Sequence, residues 1–232
     1  MSRSTRTFWS PLIACILLAA VSASAQDRRD VKGFDQVSLE INGELLLTQG
    51  DAESLEIQAS PTDLSRIRTE VRQRILHISR DPAAPPPRGR VVYRLTMKSI
   101  AGLETHSSGS IRAGNIRAEA LRIHISSSGG IRVDGLLARS LDVVISSSGD
   151  CTLSGQAESQ SVRISSSGSY RAGKLSSREA RVQVTSSGEA TVRVEETLDA
   201  LLSSSGGVRY YGDPPQVASR VTSSGRLVRL GD

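Results

Sequence analysis

Apolar and polar residues alternate with a period of two along most of the chain, and the alternation restarts at near-constant intervals. Ahead of Gly129 the apolar positions are Leu121, Ile123 and Ile125; ahead of Gly149 they are Leu141, Val143 and Ile145. The same phases hold Gln160, Val162 and Ile164, then Ala180, Val182 and Val184, then Leu198, Ala200 and Leu202. Two residues past each glycine the pattern resumes, with Ile111, Ile131, Cys151, Tyr170, Ala190, Val208 and Leu227. Period two marks a strand with one buried face.

The restarts coincide with seven copies of Ser-Ser-Gly, whose glycines are Gly109, Gly129, Gly149, Gly168, Gly188, Gly206 and Gly225. Their spacings are 20, 20, 19, 20, 18 and 19 residues. Each unit reads as strand, Ser-Ser-Gly corner, strand and a looser connection. One such unit cannot bury its apolar face alone, whereas stacked units pair backbone to backbone over a continuous aliphatic column. The expected fold is all-β: a single-stranded right-handed β-helix, a solenoid with about 20 residues per coil. The strict hexapeptide rhythm of left-handed β-helices is absent. The corner glycines are expected to supply a positive φ. Their serines are expected to bond local backbone or the equivalent serine of the next coil.

Upstream, Phe34, Val37, Leu39 and Ile41 lead to a turn at Asn42-Gly43, and Leu45 and Leu47 run into Gln49-Gly50-Asp51. Leu55, Ile57 and Ala59 follow, with one helical turn over Asp63–Arg66. Ile67, Thr69 and Val71, then Leu76 and Ile78, predict a hairpin around Gln73-Arg74, although Leu64, Ile67, Val71 and Ile78 also fit one face of a helix. Asp81–Gly89 is an exposed Pro-rich loop, after which Val91, Tyr93 and Leu95 re-enter the sheet. Residues 26–80 are thus read as an N-terminal β cap with opening coils, 81–89 as a loop and 90–232 as Ser-Ser-Gly coils, all within one domain, 26–232.

Residues 1–25 carry a basic start at Arg3 and Arg6, an apolar run over Leu12–Val21 and the small residues Ala23-Ser24-Ala25 before Gln26. The run is too short to span a bilayer, which needs about 20 residues. It has the form of a secretory signal peptide. The mature chain is then exported, to the periplasm or the outer cell surface, with no later segment apolar enough to cross a membrane. Leu12-Ile13-Ala14-Cys15 also resembles a lipoprotein processing site, but lipidation at Cys15 would leave almost no apolar run before the cut, so the secretory reading is preferred. Cys151 is the one cysteine beyond the leader, so no intramolecular disulfide is expected.

Seven aromatic residues in 232 mean that aliphatic side chains must fill the core. The formal charge of +5 falls to +3 once Arg3 and Arg6 leave. Arginines dominate the cations, and export argues against nucleic acid as partner.

The order Phe34-Asp35-Gln36-Val37, the Gln49-Gly50-Asp51 turn, the Ser-Ser-Gly coils and the closing Tyr210-Tyr211-Gly212-Asp213-Pro214, followed by one last Ser-Ser-Gly, resemble a bacterial envelope family. It is the putative autotransporter adhesin head domain, or GIN domain. The likeness covers about residues 31–230. Members usually show Gly-Ser-Gly or Ser-Gly-Ser-Gly at the corners, and Asn where this chain has Asp213. The resemblance implies a right-handed β-helix exported to the envelope, with no known reaction and no catalytic residues to carry over. No translocator barrel follows residue 232 in this sequence, so self-export is not expected.

Three positions after successive corner glycines stand Arg112, Arg132, Thr152, Arg171, Thr191, Arg209 and Val228. Stacking aligns Arg112, Arg132, Arg171 and Arg209 in one outer column, a candidate anion-binding stripe for an anionic glycan or another envelope component. The competing reading is a solvated face balanced by Asp134, Asp150 and Glu189. The alternative function is a polysaccharide lyase or hydrolase, since β-helices often carry such sites. Its carboxylate candidates, Asp150 with Glu189 and Asp142 with Asp199, lie two and three coils apart. The serine columns lack Gly-x-Ser-x-Gly, Ser-x-x-Lys and a matched histidine. His106 and His124 fall on successive coils at different phases, His77 stands apart, and no carboxylate cluster is expected to join them. No metal, cofactor or catalytic residue is assigned. Cys151 is read as a buried hydrophobe, and Tyr210 and Tyr211 as core or capping residues. The expected protein is a monomeric, non-catalytic, adhesin-like binding or scaffold module.

Overall fold

The computed structural model describes residues 25–231. The leader assigned to residues 1–25 therefore lies outside the described residues except for Ala25. Short alternating segments at the start give β1 (Ala25–Arg29), β2 (Gln36–Leu39), β3 (Glu44–Gln49) and β4 (Ser54–Ala59). The single turn of helix α1 (Pro61–Leu64) begins at Ser60, whose hydroxyl accepts from the Asp63 amide; this is an ordinary N-cap with proline in the first turn. Then come β5 (Ile67–Arg72) and β6 (Ile75–Arg80), antiparallel and joined at Gln73 and Arg74, both with positive φ. That two-residue turn matches the right-handed twist of the flanking strands and decides for the hairpin over the helix. The chain continues through β7 (Val92–Met97) and β8 (Gly102–Thr105).

The repeats supply β9 (Ser110–Gly114), β10 (Arg117–Ile125), β11 (Gly130–Ile145), β12 (Asp150–Ile164), β13 (Ser169–Val184) and β14 (Glu189–Leu202), and finally β15 (Gly207–Tyr211), β16 (Gln216–Val221) and β17 (Arg226–Gly231). They wind as a β-helix of about 6 turns with about 20 residues per turn. Neighbouring coils are parallel and in register: Ile131 pairs with Cys151, Cys151 with Tyr170, Tyr170 with Ala190 and Ala190 with Val208. Val143, Val162, Val182 and Ala200 form a second inward column. All nine are buried. In β11 the alternation slips at Asp134-Gly135 and again at Arg139-Ser140, where two successive residues are exposed. Such a slip turns the chain to a new face, so each coil has three sides, the third corner being Ser-Ser-Gly.

The corner glycines are needed for a reason other than the one expected. None of the seven has a positive φ. What excludes a side chain is the coil next door: a Cβ on Gly149 would sit 2.6 Å from the Gly129 carbonyl oxygen and 2.7 Å from that of Ser127. The backbone ladder runs straight through this corner, with the Ser146 amide donating to Ile125 and the Asp150 amide to Gly129. Carbonyls packed this closely leave no room for a methyl group. Two corner serines use their hydroxyls: Ser107 donates to the Ile41 carbonyl and Ser126 meets the His106 ring. No serine-to-serine hydroxyl ladder is found along the corner among the described residues.

A second departure concerns winding order. β2 lies between β6 and β8, parallel to both, and β3 lies between β7 and β9. The rung 36–49 is therefore sandwiched between 75–97 and 102–114, and spatial order differs from chain order. Antiparallel β4 flanks β7, and β1 flanks β4. The Pro-rich loop is also less free than expected. Pro87 is buried, and the Asp63 carboxylate, itself buried, accepts from the Arg88 and Gly89 amides, the Ser60 hydroxyl and Arg66. Burial pushes the Asp63 pKa up, but those four donors outweigh it and hold the carboxyl below the usual range.

Candidate functional site

The parallel register aligns Arg112 with Arg132, then Thr152, Arg171, Thr191, Arg209 and Val228. Strand pairing extends the column to Leu46 and Arg94. Each of the four arginines holds a carboxylate: Arg112 Nε to Glu44 at 3.1 Å, Arg132 to Asp134 at 2.8 Å, Arg171 to Asp150 at 2.9 Å and Arg209 to Glu189 at 2.9 Å. Asp134, Asp150 and Glu189 are the balancing residues named from the sequence. Glu44 was missed, because it reaches Arg112 from a strand that is distant in the chain. The Asp134 carboxyl is held below its ordinary range chiefly by the Arg132 hydrogen bond. The arginine side chains remain 49–62% exposed, so each keeps donors turned to solvent.

A second ladder was not read from the sequence. Glu119, Arg139, Glu158, Arg178 and Glu196 alternate in sign on successive coils, with Arg139 3.5 Å from Glu119 and 3.9 Å from Glu158, and Arg178 2.8 Å from Glu196. The signal was present eight to ten residues after each corner glycine. The ladder borders a shallow groove of about 670 Å³ floored by the small side chains Ala138, Ala157 and Ser177. Self-cancelling charge of this kind supports solubility more than stability.

The carboxylates weighed for glycan cleavage are all taken up by arginines. Asp150 and Glu189 hold Arg171 and Arg209, Asp142 holds Arg163 at 2.9 Å, and Asp199 holds Arg181 at 3.2 Å. Cys151 is wholly buried, and burial pushes its thiol far above the ordinary range. Its neighbour Tyr170 is also buried. It donates to Gln160 (2.9 Å), which donates to Ser177 (2.6 Å), which donates to the Arg193 carbonyl (2.9 Å). Tyr210 packs partly against the core, while Tyr211 stacks under the Arg193 guanidinium at 5.0 Å.

The histidines require a correction. Glu104 pairs with His124 across adjacent coils, and His106 Nε2 lies 3.2 Å from Glu104 Oε2. The His106 and His124 rings meet edge to face at 5.4 Å. A carboxylate does join them, because a corner residue can lean diagonally onto the next rung whatever its phase. His77 is apart, bonded to Glu40 at 2.7 Å.

A parallel solenoid whose outer columns carry paired charges and hydroxyls defines a repeat scaffold. The chain belongs to the family described as "Putative auto-transporter adhesin, head GIN domain", whose family model matches residues 33–214. Similar solved structures are a putative adhesin from Bacteroides fragilis (TM-score 0.85, 20% identity, 90% of this chain and 97% of that one) and a putative lipid binding protein from Parabacteroides distasonis (0.74, 20%, 89% and 96%). A third is a putative adhesin from Parabacteroides merdae (0.68, 16%, 89% and 96%). At these identities they establish the fold alone. No curated protein matches the chain. Family membership points to an adhesin-like, envelope-associated protein. No helix among the described residues is long and apolar enough to cross a membrane.

Proposed function

We propose that this chain is exported behind the leader 1–25 and acts as a monomeric, non-catalytic binding module, 26–232, that holds an extended anionic glycan of the cell envelope along the column Arg112, Arg132, Arg171 and Arg209. The observation that carries this reading is the alignment of four half-exposed guanidiniums on a rigid parallel ladder. Guanidinium offers five donors in a planar fork. A single carboxylate partner uses only part of that set. The partners Glu44, Asp134, Asp150 and Glu189 orient the arginines and also compete with a ligand. Each contact is therefore weak, and affinity must come from several rungs engaged by one polymer.

Elution from heparin tests this. Replacing Arg112, Arg132 and Arg171 together by Ser should lower the salt needed for elution, whereas Arg139→Ser, outside the column, should not. Unchanged elution of the triple variant removes the proposal. An array of envelope glycans then defines the ligand class.

A further inference from the structure

We infer that Glu104, His106 and His124 form a binding site for a divalent transition metal of the zinc type, stapling two rungs of the solenoid. One ligand atom from each residue falls within 4.8 Å of the other two. Tetrahedral zinc, with bonds of about 2.0–2.2 Å, needs ligand atoms about 3.4 Å apart. His106 Nε2 and Glu104 Oε2 already stand at 3.2 Å. His124 closes the triangle by a small side-chain adjustment, since its Cα is paired in register with that of Glu104. Two imidazoles and a carboxylate are an established donor set for zinc, with a water completing the fourth position.

The surroundings fit a metal as well as the ligands do. His106 Nδ1 lies 2.7 Å from Ser126 Oγ. A hydroxyl both donates and accepts. Without metal, Ser126 donates to Nδ1 while Nε2–H faces Glu104. With metal, the ring takes the other tautomer: the Nε2 proton leaves to solvent, Nδ1 takes one up from solvent, the Nε2 lone pair binds the cation, and Nδ1–H donates to Ser126, whose hydroxyl turns to accept. The hydroxyl oxygen then fills the acceptor role that a carboxylate, carbonyl or water ordinarily has beside a metal-bound imidazole. The backbone under the site is fixed on both sides: β8 pairs with β2 and with β10. The site also falls where the chain passes from the out-of-order rungs to the regular coils, so a bound ion would clamp that junction.

The test uses the purified, untagged protein titrated with Zn²⁺ by calorimetry and with Co²⁺ by visible absorption. One equivalent of Zn²⁺ should bind, Co²⁺ should give the intense bands of four-coordinate geometry, and Zn²⁺ should raise the melting temperature. His106→Ala, His124→Gln and Glu104→Gln should each weaken binding at least tenfold and abolish the thermal shift, and Ser126→Ala should weaken it by about tenfold. His77→Ala should leave it unchanged. All these side chains are on the surface or half-buried, and circular dichroism checks that each variant is folded. No saturable binding at 100-fold excess metal over protein, binding unchanged in His106→Ala and His124→Gln, or binding lost in His77→Ala would overturn the assignment.

Discussion

The N-terminal rungs and the Ser-Ser-Gly coils build the same column by different means. Around β2–β7 the fully buried side chains are large: Phe34, Leu39, Leu45, Leu55, Ile57, Leu76, Ile78, Tyr93, Leu95 and Met97. In the coils the inward positions are filled by Leu, Ile, Val and Ala with Cys151, and Tyr170 is the one large ring among them. The N-terminal end is closed by antiparallel β1, β4 and the β5–β6 hairpin. At the other end Val217 and Val221, which continue the inward columns, are 45% and 41% exposed. Bulky irregular packing suits a cap, where each residue has a unique neighbourhood. Repeated aliphatic residues suit a ladder, where every rung must fit the one below it. A substitution should therefore propagate along the coils but stay local in the cap.

Gly149→Ala should break the comparison most sharply. Its new methyl would enter the carbonyls of Gly129 and Ser127, and overpacking of this kind costs about 3 kcal/mol. Gly225→Ala, facing Ser204 at 2.9 Å on the exposed last coil, should cost about 1 kcal/mol. Urea unfolding of both variants reads the difference; equal effects would refute the stacking account of the corner.

Asp63→Ala should come next. It leaves the Arg88 and Gly89 amides and Ser60 without their buried acceptor, a loss of about 2 kcal/mol. Hydrogen exchange should rise around residues 60–90 and not in the coils. The Asp63 pKa is lower folded than unfolded, so its stabilisation is fully present above about pH 4 and fades as pH falls below that. The variant should therefore lose less stability than the wild type between pH 5 and pH 3, although other carboxylates keep both acid-sensitive.

Tyr170→Phe should have an effect as small as that of Gly225→Ala, about 1 kcal/mol. It removes the donor to Gln160 while keeping the ring that fills the column. Urea unfolding checks it; a loss as large as that of Gly149→Ala would mean that the buried polar chain, not corner stacking, limits the stability of the coils.

The coils were legible because their determinants repeat. Period-two columns, corner positions and the Arg112–Arg209 alignment all follow from phase against a fixed glycine. The Gln73-Arg74 hairpin was legible from local alternation, with the helix excluded by two positive φ values. Other features came from contacts distant in sequence. Alternation says that 36–39 is a strand with a buried face, but not that its neighbours are 75–78 and 102–105. Asp63 looked like part of a helical turn until the loop 26 residues away closed on it. Glu104 carried no motif that tied it to His106 and His124.

By itself, then, the order of residues determined a stack of in-register coils, since identical phases can bury a common face only by lying over one another. Tertiary structure alone decided the order of the first rungs, the pairing of Arg112 with Glu44 and the steric reason for glycine at the corners. Each of these depends on which backbone lies 5 Å away across a gap between coils, and a neighbour at that distance leaves no periodic trace in the chain.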